Sequence, residues 1–259
     1  MEYTNIKLDK ENRVATIRLN RPDALNSLSP AMLTELSSAV TEAGGDESIK
    51  VLVIRGEGRA FCAGADLTYF QTTFEDPALL PRYVSQIKDT LSQIEALPFP
   101  AIAVVHGFAL AGGLELMMAC DMTLVADDAR IGDQHVNFGL MPGGGSTQRL
   151  PRRVGLQRAM ELLTTGRWIT GVEAADWGLA LRSVPVEGLD EELEKLLSPL
   201  RTKSREGLAL IKAVTLRGMG LSIDDGVAME SHAFIQYMTT SPHPAEGIKA
   251  FTEKRQPEF

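Results

Sequence analysis

The alternation of short apolar runs with segments of helical periodicity constrains the fold of this chain more than any other feature. Residues 13–19 alternate between apolar and polar side chains, and residues 51–54 (VLVI) form an apolar run that leads into glycines. Both patterns are typical of strands. Between them, apolar residues recur at helical spacing after Ser29-Pro30, an N-cap residue followed by proline at the first helical position. The opening pattern is therefore strand, helix, strand.

The same alternation continues and then stops. A helical stretch at 77–95 precedes strand-like runs at 101–106 and 122–125, which predicts an α/β fold with a mainly parallel, buried sheet and crossover helices. Only helical segments follow in the last part of the chain, at Asp190–Leu200, Ser204–Leu216 and Ile223–Met238. From this change of pattern we predict an α/β core over residues 1–200 and a helical arm over residues 201–259. Such arms often pack against a neighbouring subunit.

The composition excludes several classes of partner. A net charge of -8 gives no general attraction to nucleic acid or to anionic membrane surfaces. Cys62 and Cys120 lie in apolar segments without partners at metal-ligand spacing, so we expect reduced thiols in the cytoplasm, with neither a disulfide nor a metal site. The N-terminal sequence does not resemble a targeting peptide. The apolar run Ala96–Leu114 contains two prolines and three glycines, which favours strand, turn and helix start over a membrane span.

Three glycine-rich turns are candidates for ligand contact. They are Ala63–Asp66, Ala111–Gly113 and Pro142–Gly145. Small residues at strand-to-helix turns let a ligand touch backbone N–H groups, and a helix start favours negative charge. Tight packing or a simple turn is the alternative for each. None has the spacing of a dinucleotide or P-loop motif, which argues against phosphate cradles of those kinds.

Two side chains could carry chemistry. Glu115 follows Gly112-Gly113 and has apolar neighbours on nearly every side, which predicts a cavity wall more than a solvated helix face. A carboxylate in the first turn of a helix is also an ordinary stabilising feature. His135 lies between a strand and the glycine-rich turn at 142–145. It could be a catalyst or a hydrogen-bonded structural residue.

Six segments, in their order and spacing, resemble the enoyl-CoA hydratase/isomerase (crotonase) family. They are LNRPDALNSL, GRAFCAGADL, FALAGGLELMMACDM, FGLMPGGGSTQRLPRRVG, TGRWITGVEAADWGL and EGIKAFTEKRQPEF. The resemblance extends over residues 5–259. It implies a crotonase-like spiral of ββα units followed by a C-terminal helical trimerisation region, assembled as a homotrimer or a hexamer.

The resemblance also implies a reaction. The family binds an acyl-CoA thioester and directs its carbonyl oxygen at two backbone N–H groups, which correspond here to Ala65 and Gly112. Such an oxyanion hole stabilises the enolate, and removing one donor typically costs a factor of about 100 to 1,000 in rate. Family hydratases hold one water with two glutamates for syn addition across the 2,3 double bond. The first falls on Glu115, whereas the second position holds His135.

We therefore predict hydration with Glu115 as the base, and with His135 as the group that positions the water or supplies the proton. No cofactor is implied, because CoA is part of the substrate. Family isomerases that use one acid usually keep the second carboxylate, so its absence here counts against isomerisation. Dienoyl-CoA isomerases, hydroxyisobutyryl-CoA hydrolases and aryl-CoA dehalogenases resemble one another in having an aspartate where this chain has Gly143, which counts against those reactions as well.

Two alternatives stay open. One is another crotonase-type reaction, such as ring-opening hydrolysis or double-bond isomerisation of an acyl-CoA, because a histidine at position 135 could activate water toward a carbonyl. The other is a non-catalytic acyl-CoA-binding module that has lost one acid. Retention of Glu115 speaks against the second.

The residues expected to bind the substrate and CoA come from the same resemblance. They are Ala24, Leu25, Ala63, Ala65, Asp66, Leu67, Thr68, Gly112, Phe251 and Lys254. Lys254, with Phe251 nearby, matches residues that in relatives reach the CoA or the acyl pocket from the C-terminal arm, sometimes across a subunit boundary. A cation near the 3′-phosphate is favourable, although Lys254 could also be an ordinary solvated lysine. We predict that residues 68–85 form a loop whose aromatic side chains line the acyl pocket or pack the loop down. These side chains are Tyr69, Phe70, Phe74 and Tyr83.

Overall fold

The computed structural model describes residues 3–259, and a mostly parallel sheet forms its centre. The strands are β1 (Ile6–Glu11), β2 (Val14–Leu19), β3 (Val51–Gly56), β4 (Ala101–Val105), β5 (Phe108–Leu110), β6 (Met122–Ala126), β7 (Arg130–Gly132) and β8 (Arg182–Val184). The main sheet has the order β1-β2-β3-β4-β6-β8. Only β1 is antiparallel to its neighbour within this sheet of the described chain. Strands β5 and β7 form a separate parallel pair.

The helices connect and cover these strands. They are α1 (Pro30–Gly45), α2 (Leu67–Glu75), α3 (Leu79–Glu95), α4 (Gly112–Ala119), α5 (Ser146–Val154), α6 (Leu156–Thr165), α7 (Gly171–Asp176), α8 (Leu189–Leu200), α9 (Arg205–Gly218), α10 (Ile223–Thr240) and α11 (His243–Glu253). Short 3-10 turns lie at Pro22–Ala24, His135–Phe138 and Val186–Gly188. The predicted α/β class is confirmed, and β2, β3, β4, β6, α1 and α8–α10 lie close to where the sequence places them.

The segment 68–85 is not the loop that we predicted. It is mostly helical: α2 covers its first half, and α3 begins at Leu79 within the helical stretch predicted at 77–95, which is confirmed. The Asp66 side chain caps α2 by accepting hydrogen bonds from the backbone N–H groups of Thr68 and Tyr69, and such caps stabilise a helix start. Strand β1, helices α5–α7 and helix α11 are further elements that the sequence reading did not predict.

The run Ala96–Leu114 is divided among β4, β5 and the start of α4, as predicted. Every residue of β4 is buried, and β3 is buried over its first four residues, which explains why these strands are continuously apolar. Among residues 3–259, no helix has the length and hydropathy needed to cross a membrane.

The C-terminal helices differ from the core in what they bury. Helix α10 buries none of its residues, and α9 buries only Lys212. Large apolar side chains on these helices are exposed in the single chain, and Ile223 is 83% exposed. An apolar face of this kind is typical of a surface that another subunit covers. The boundary at residue 200 stays a prediction; Met1 and Glu2, at the start of the predicted core, lie outside the described residues.

Candidate active site

A cavity of about 1260 Å³ opens beside the N-terminus of α4. Its walls come from the turn at Pro22–Ala24, the segment 63–72, helix α3 and the segment 134–144. Glu115 and His135 both line it. Most of the remaining lining is apolar, as in binding sites for small molecules and cofactors. We call this space the central cavity.

The backbone amides of Ala65 and Gly112 lie close together at the cavity wall. Gly64 has a φ of +111°, and a Cβ atom on Gly112 would lie only 3.3 Å from the Ala65 nitrogen. Ala65 lies opposite Leu28 in an isolated parallel β-bridge. The hydrogen bonds of this bridge involve the neighbours of Ala65: the Leu28 N–H donates to the Gly64 carbonyl, and the Asp66 N–H donates to the Leu28 carbonyl. The Ala65 N–H therefore takes no part in this pairing.

Gly112 is the first residue of α4, so its N–H has no acceptor within the helix. Ala111, just before it, has a φ of 47°, and its own N–H donates to the Gly132 carbonyl at 2.9 Å. Within residues 3–259, neither the Ala65 nor the Gly112 amide donates to a protein acceptor. Two adjacent free donors at a helix start can bind a carbonyl oxygen that gains negative charge.

Glu115 stands in the first turn of α4 and is only 2% exposed. Its Oε1 accepts a 3.0 Å hydrogen bond from the backbone N–H of Ser146, which begins α5 and has no acceptor in its own helix. Burial raises the pKa of Glu115 above its ordinary value, although the Ser146 hydrogen bond and the charge of His135 partly oppose this shift. A buried carboxyl group with a raised pKa at a cavity wall is suited to proton transfer.

The glycine-rich turn before α5 packs directly against this carboxylate. A Cβ atom on Gly144 would lie 2.8 Å from Cδ of Glu115, so only glycine leaves room for the side chain. The Arg149 guanidinium holds the turn by donating to the Gly144 carbonyl at 2.6 Å and to both carboxylate oxygens of Glu95.

His135 begins the 3-10 turn after β7 and faces the central cavity. Its Nδ1 lies 2.8 Å from Oδ1 of Asp133, which is fully buried. Burial alone lowers the pKa of His135, but the hydrogen bond and charge of Asp133 and the charge of Glu115 outweigh it, so the pKa is raised. Glu115 and His135 thus influence each other across one cavity.

The structure places most of the expected substrate-binding residues together. The central cavity is lined by Ala24, Ala63, Ala65, Asp66, Leu67, Thr68 and Gly112. Leu25 does not line it, but its carbonyl accepts a hydrogen bond from Ala63. Phe251, 85% exposed, and Lys254 lie on the C-terminal arm outside the cavity of their own chain. Those two residues therefore contribute nothing to the cavity of a single chain.

Some of the aromatic side chains of residues 68–85 line the central cavity and one does not. Tyr69, Phe70 and Tyr83 line the central cavity, whereas Phe74 is exposed outside it. The Tyr83 hydroxyl donates to the Leu28 carbonyl and accepts from the Asp66 amide. Tyr83 therefore also fixes the segment that carries Ala65.

The sequence reading missed several residues of the site. Arg21 lines the central cavity and donates to Asp66 at 2.8 Å. Asp133 contacts His135, and the Ser146 N–H donates to Glu115. Arg21 belongs to the segment LNRPDALNSL, which could have drawn attention to it. Asp133 stands two residues before His135, but nothing in the local sequence indicates that the two side chains meet. Among residues 3–259, no cluster of three His, Cys, Asp or Glu side chains is arranged to hold a metal.

Comparisons with known proteins agree on one family. The sequence model described as enoyl-CoA hydratase/isomerase matches residues 9–259. A crotonyl-CoA hydratase of Syntrophomonas wolfei is 38% identical, over 100% of this chain and 99% of its own length. A probable enoyl-CoA hydratase of Mycobacterium bovis is 36% identical with the same coverage. The solved structure of an enoyl-CoA hydratase from Bacillus anthracis has a TM-score of 0.94 to this chain at 36% identity, over 99% of each chain.

Proposed function

The chain belongs to the enoyl-CoA hydratase/isomerase family, and we propose that it is a carbon-oxygen lyase that adds water across the 2,3 double bond of an enoyl-CoA thioester. One observation carries the proposal. The buried Glu115 carboxyl group shares the central cavity with two backbone amides that have no protein acceptor within residues 3–259. This arrangement matches a reaction that needs both a base and an oxyanion hole.

The amides of Ala65 and Gly112 bind the thioester oxygen. As water adds to C3, negative charge moves onto that oxygen, and preorganised donors stabilise it without reorganisation. The N-terminus of α4 adds its dipole to the same point. The two amides thereby favour the enolate-like transition state over the neutral substrate.

Glu115 and His135 divide the proton transfers. The Glu115 carboxylate takes a proton from the attacking water, whose oxygen bonds to C3. The His135 imidazolium gives a proton to C2, so the net addition is one water molecule. A proton then passes from Glu115 back to His135, directly or through water, and restores the starting state. Two groups with coupled charges that line the same cavity are suited to this exchange.

CoA lies along the wall formed by Ala24 and residues 63–68 in this proposal. Arg21 adds a cation there, although Asp66 partly neutralises it. Lys254 supplies a second cation from the arm of a neighbouring subunit, in a homotrimer or hexamer built on the exposed apolar faces of α9–α11. Reduced, buried Cys62 and Cys120 suit a cytoplasmic enzyme.

Hydration of crotonyl-CoA and of longer and aromatic enoyl-CoA esters tests the proposal. We expect Glu115→Gln to lower kcat by about 100-fold or more and His135→Ala by about 10- to 100-fold, because each removes a proton-transfer group. The exposed Glu75 provides a matched control, since Glu75→Gln makes the same chemical change outside the central cavity. Unchanged rates in Glu115→Gln would end its assignment as the base, and unchanged rates in His135→Ala would leave that residue structural.

A ring-opening hydrolysis is the second candidate, and the Asp133–His135 pair favours it. A carboxylate-supported imidazole can activate water toward a carbonyl carbon as well as toward an alkene. The structure of the product separates the two reactions, because both add the same mass. Hydration adds one water and leaves an alcohol, whereas ring opening adds one water and leaves a new carboxylate. Tight binding of acyl-CoA esters without any turnover would instead indicate a non-catalytic binding module.

A further inference from the structure

Asp133 lies between the turn that presents the Gly112 amide and the His135 side chain. It follows β7 directly, and the carbonyl of Gly132, its neighbour, accepts the Ala111 N–H at 2.9 Å. The end of β7 therefore fixes both the turn that presents the Gly112 amide and the side chain that contacts His135. Asp133 is itself 0% exposed.

The hydrogen bond of Asp133 determines which ring nitrogen of His135 faces the cavity. Oδ1 accepts from the His135 backbone N–H at 3.3 Å and lies 2.8 Å from Nδ1. An ionised carboxylate only accepts hydrogen bonds, so Nδ1 must carry a proton in this contact. Nε2 makes no hydrogen bond to residues 3–259 and is the ring nitrogen left for a substrate or water.

Within residues 3–259, both hydrogen bonds of the Asp133 side chain go to His135 through Oδ1. Oδ2 is buried and has no hydrogen-bond partner within the described chain. An aspartate that only shaped the turn would need just the backbone contact to residue 135.

We propose that Asp133 is a positioning residue for the proton transfer at the central cavity: by accepting the Nδ1 proton of His135, it directs Nε2 at the substrate as the proton donor. The inference rests on the proposed function for its substrate and deepens the role of His135. It gives the chain a carboxylate–imidazole pair at the position where family hydratases have a single glutamate.

The charges around His135 set the pH dependence that this role implies. Asp133 faces the ring from its own segment, and Glu115 faces it from α4; both favour the imidazolium and raise the pKa of His135. If His135 acts as the acid, activity falls as pH rises through its pKa. Removing the Asp133 charge must then move this alkaline limb to lower pH.

Asp133→Asn keeps the volume of the side chain and removes its charge. We expect kcat to fall by about 10- to 100-fold, by analogy with the loss seen when carboxylates that orient metal-binding histidines are removed, with KM changed less than about threefold. The alkaline limb of kcat should move to lower pH. Asp128→Asn is the matched control, because Asp128 is exposed and lies outside the cavity on the same stretch of chain.

A double-variant cycle separates positioning from general damage. If Asp133 acts through His135, adding Asp133→Asn to His135→Gln costs little further activity. Additive losses, or a loss in Asp133→Asn with an unshifted pH profile, would overturn the proposal.

Nitrogen NMR of the wild-type protein provides a test that needs no folded Asp133 variant. His135→Gln identifies the His135 signals among the four histidines. Neutral His135 should carry its proton on Nδ1, and a proton on Nε2 would refute the proposal. This readout requires no turnover, so an inactive wild-type protein with the Nδ1 form would contradict the proposed hydration and not the contact of Asp133 with His135.

Discussion

Replacing Gly144 with alanine would place a methyl group against the Glu115 carboxyl group. Gly144 does not have a positive φ, so alanine can adopt its backbone conformation. The new Cβ would lie 2.8 Å from Cδ of Glu115 and 3.0 Å from Cγ2 of Ile87. Carbon atoms pack at about 3.5 to 4.0 Å, so the carboxyl group must move by roughly 1 Å and strain its hydrogen bond from Ser146.

A displacement of about 1 Å at a reacting group can cost about 100-fold in rate, which corresponds to roughly 2.7 kcal/mol of lost transition-state stabilisation. We therefore expect Gly144→Ala to lower kcat for crotonyl-CoA hydration by about 100-fold. The assay measures kcat and KM together with the circular dichroism of the purified protein, so that an unfolded variant is recognised.

Gly143→Ala is the comparison within the same turn. Its Cβ would meet Val84 at 3.8 Å, an ordinary contact, so we expect a loss of only a few-fold. If the folded Gly144→Ala variant kept more than about a third of the wild-type kcat, or if both alanine variants lost activity equally, the position of Glu115 would not control the reaction as argued.

The remaining predictions concern pH and stability. Because burial raises the pKa of Glu115 and its carboxylate is the base, kcat/KM should fall on the acid side at a pH above the pKa of an ordinary glutamate; an acid limb at or below that pKa would contradict the assignment. Lys212→Met should lower the free energy of unfolding by about 3 kcal/mol, because buried Nζ lies 2.8 Å from Asp121 and bonds the carbonyls of Ile94 and Phe99. Urea denaturation at one fixed protein concentration measures this change, and a loss below about 1 kcal/mol would show that Lys212 does not hold α9 to the core.

Residues 68–85 and α11 show where the sequence reading overlooked local start signals of helices. The cap that starts α2 depends on the Asp66 side chain, and this signal was not used when the aromatic-rich segment was predicted to be a loop. Helix α11 begins after Pro242 without a side-chain cap, so a proline near its first position is the local start signal that it carries. Helix α1 was predicted well because Ser29 caps it, with proline following at position 30.

The sequence by itself determined the α/β class, the helical C-terminal part, and Glu115 and His135 as the candidate chemical groups; the crotonase-type fold inferred from its resemblance is confirmed by the solved structures of relatives. These features depend on periodicity, on caps and on short motifs, which act within a few residues. Only the tertiary structure decided which groups meet. It brings the Ala65 amide to Gly112 across 47 positions and the Ser146 N–H to Glu115, and it leaves Phe251 and Lys254 outside the cavity of their own chain. Such contacts depend on how strands and helices pack, and no local pattern encodes that packing.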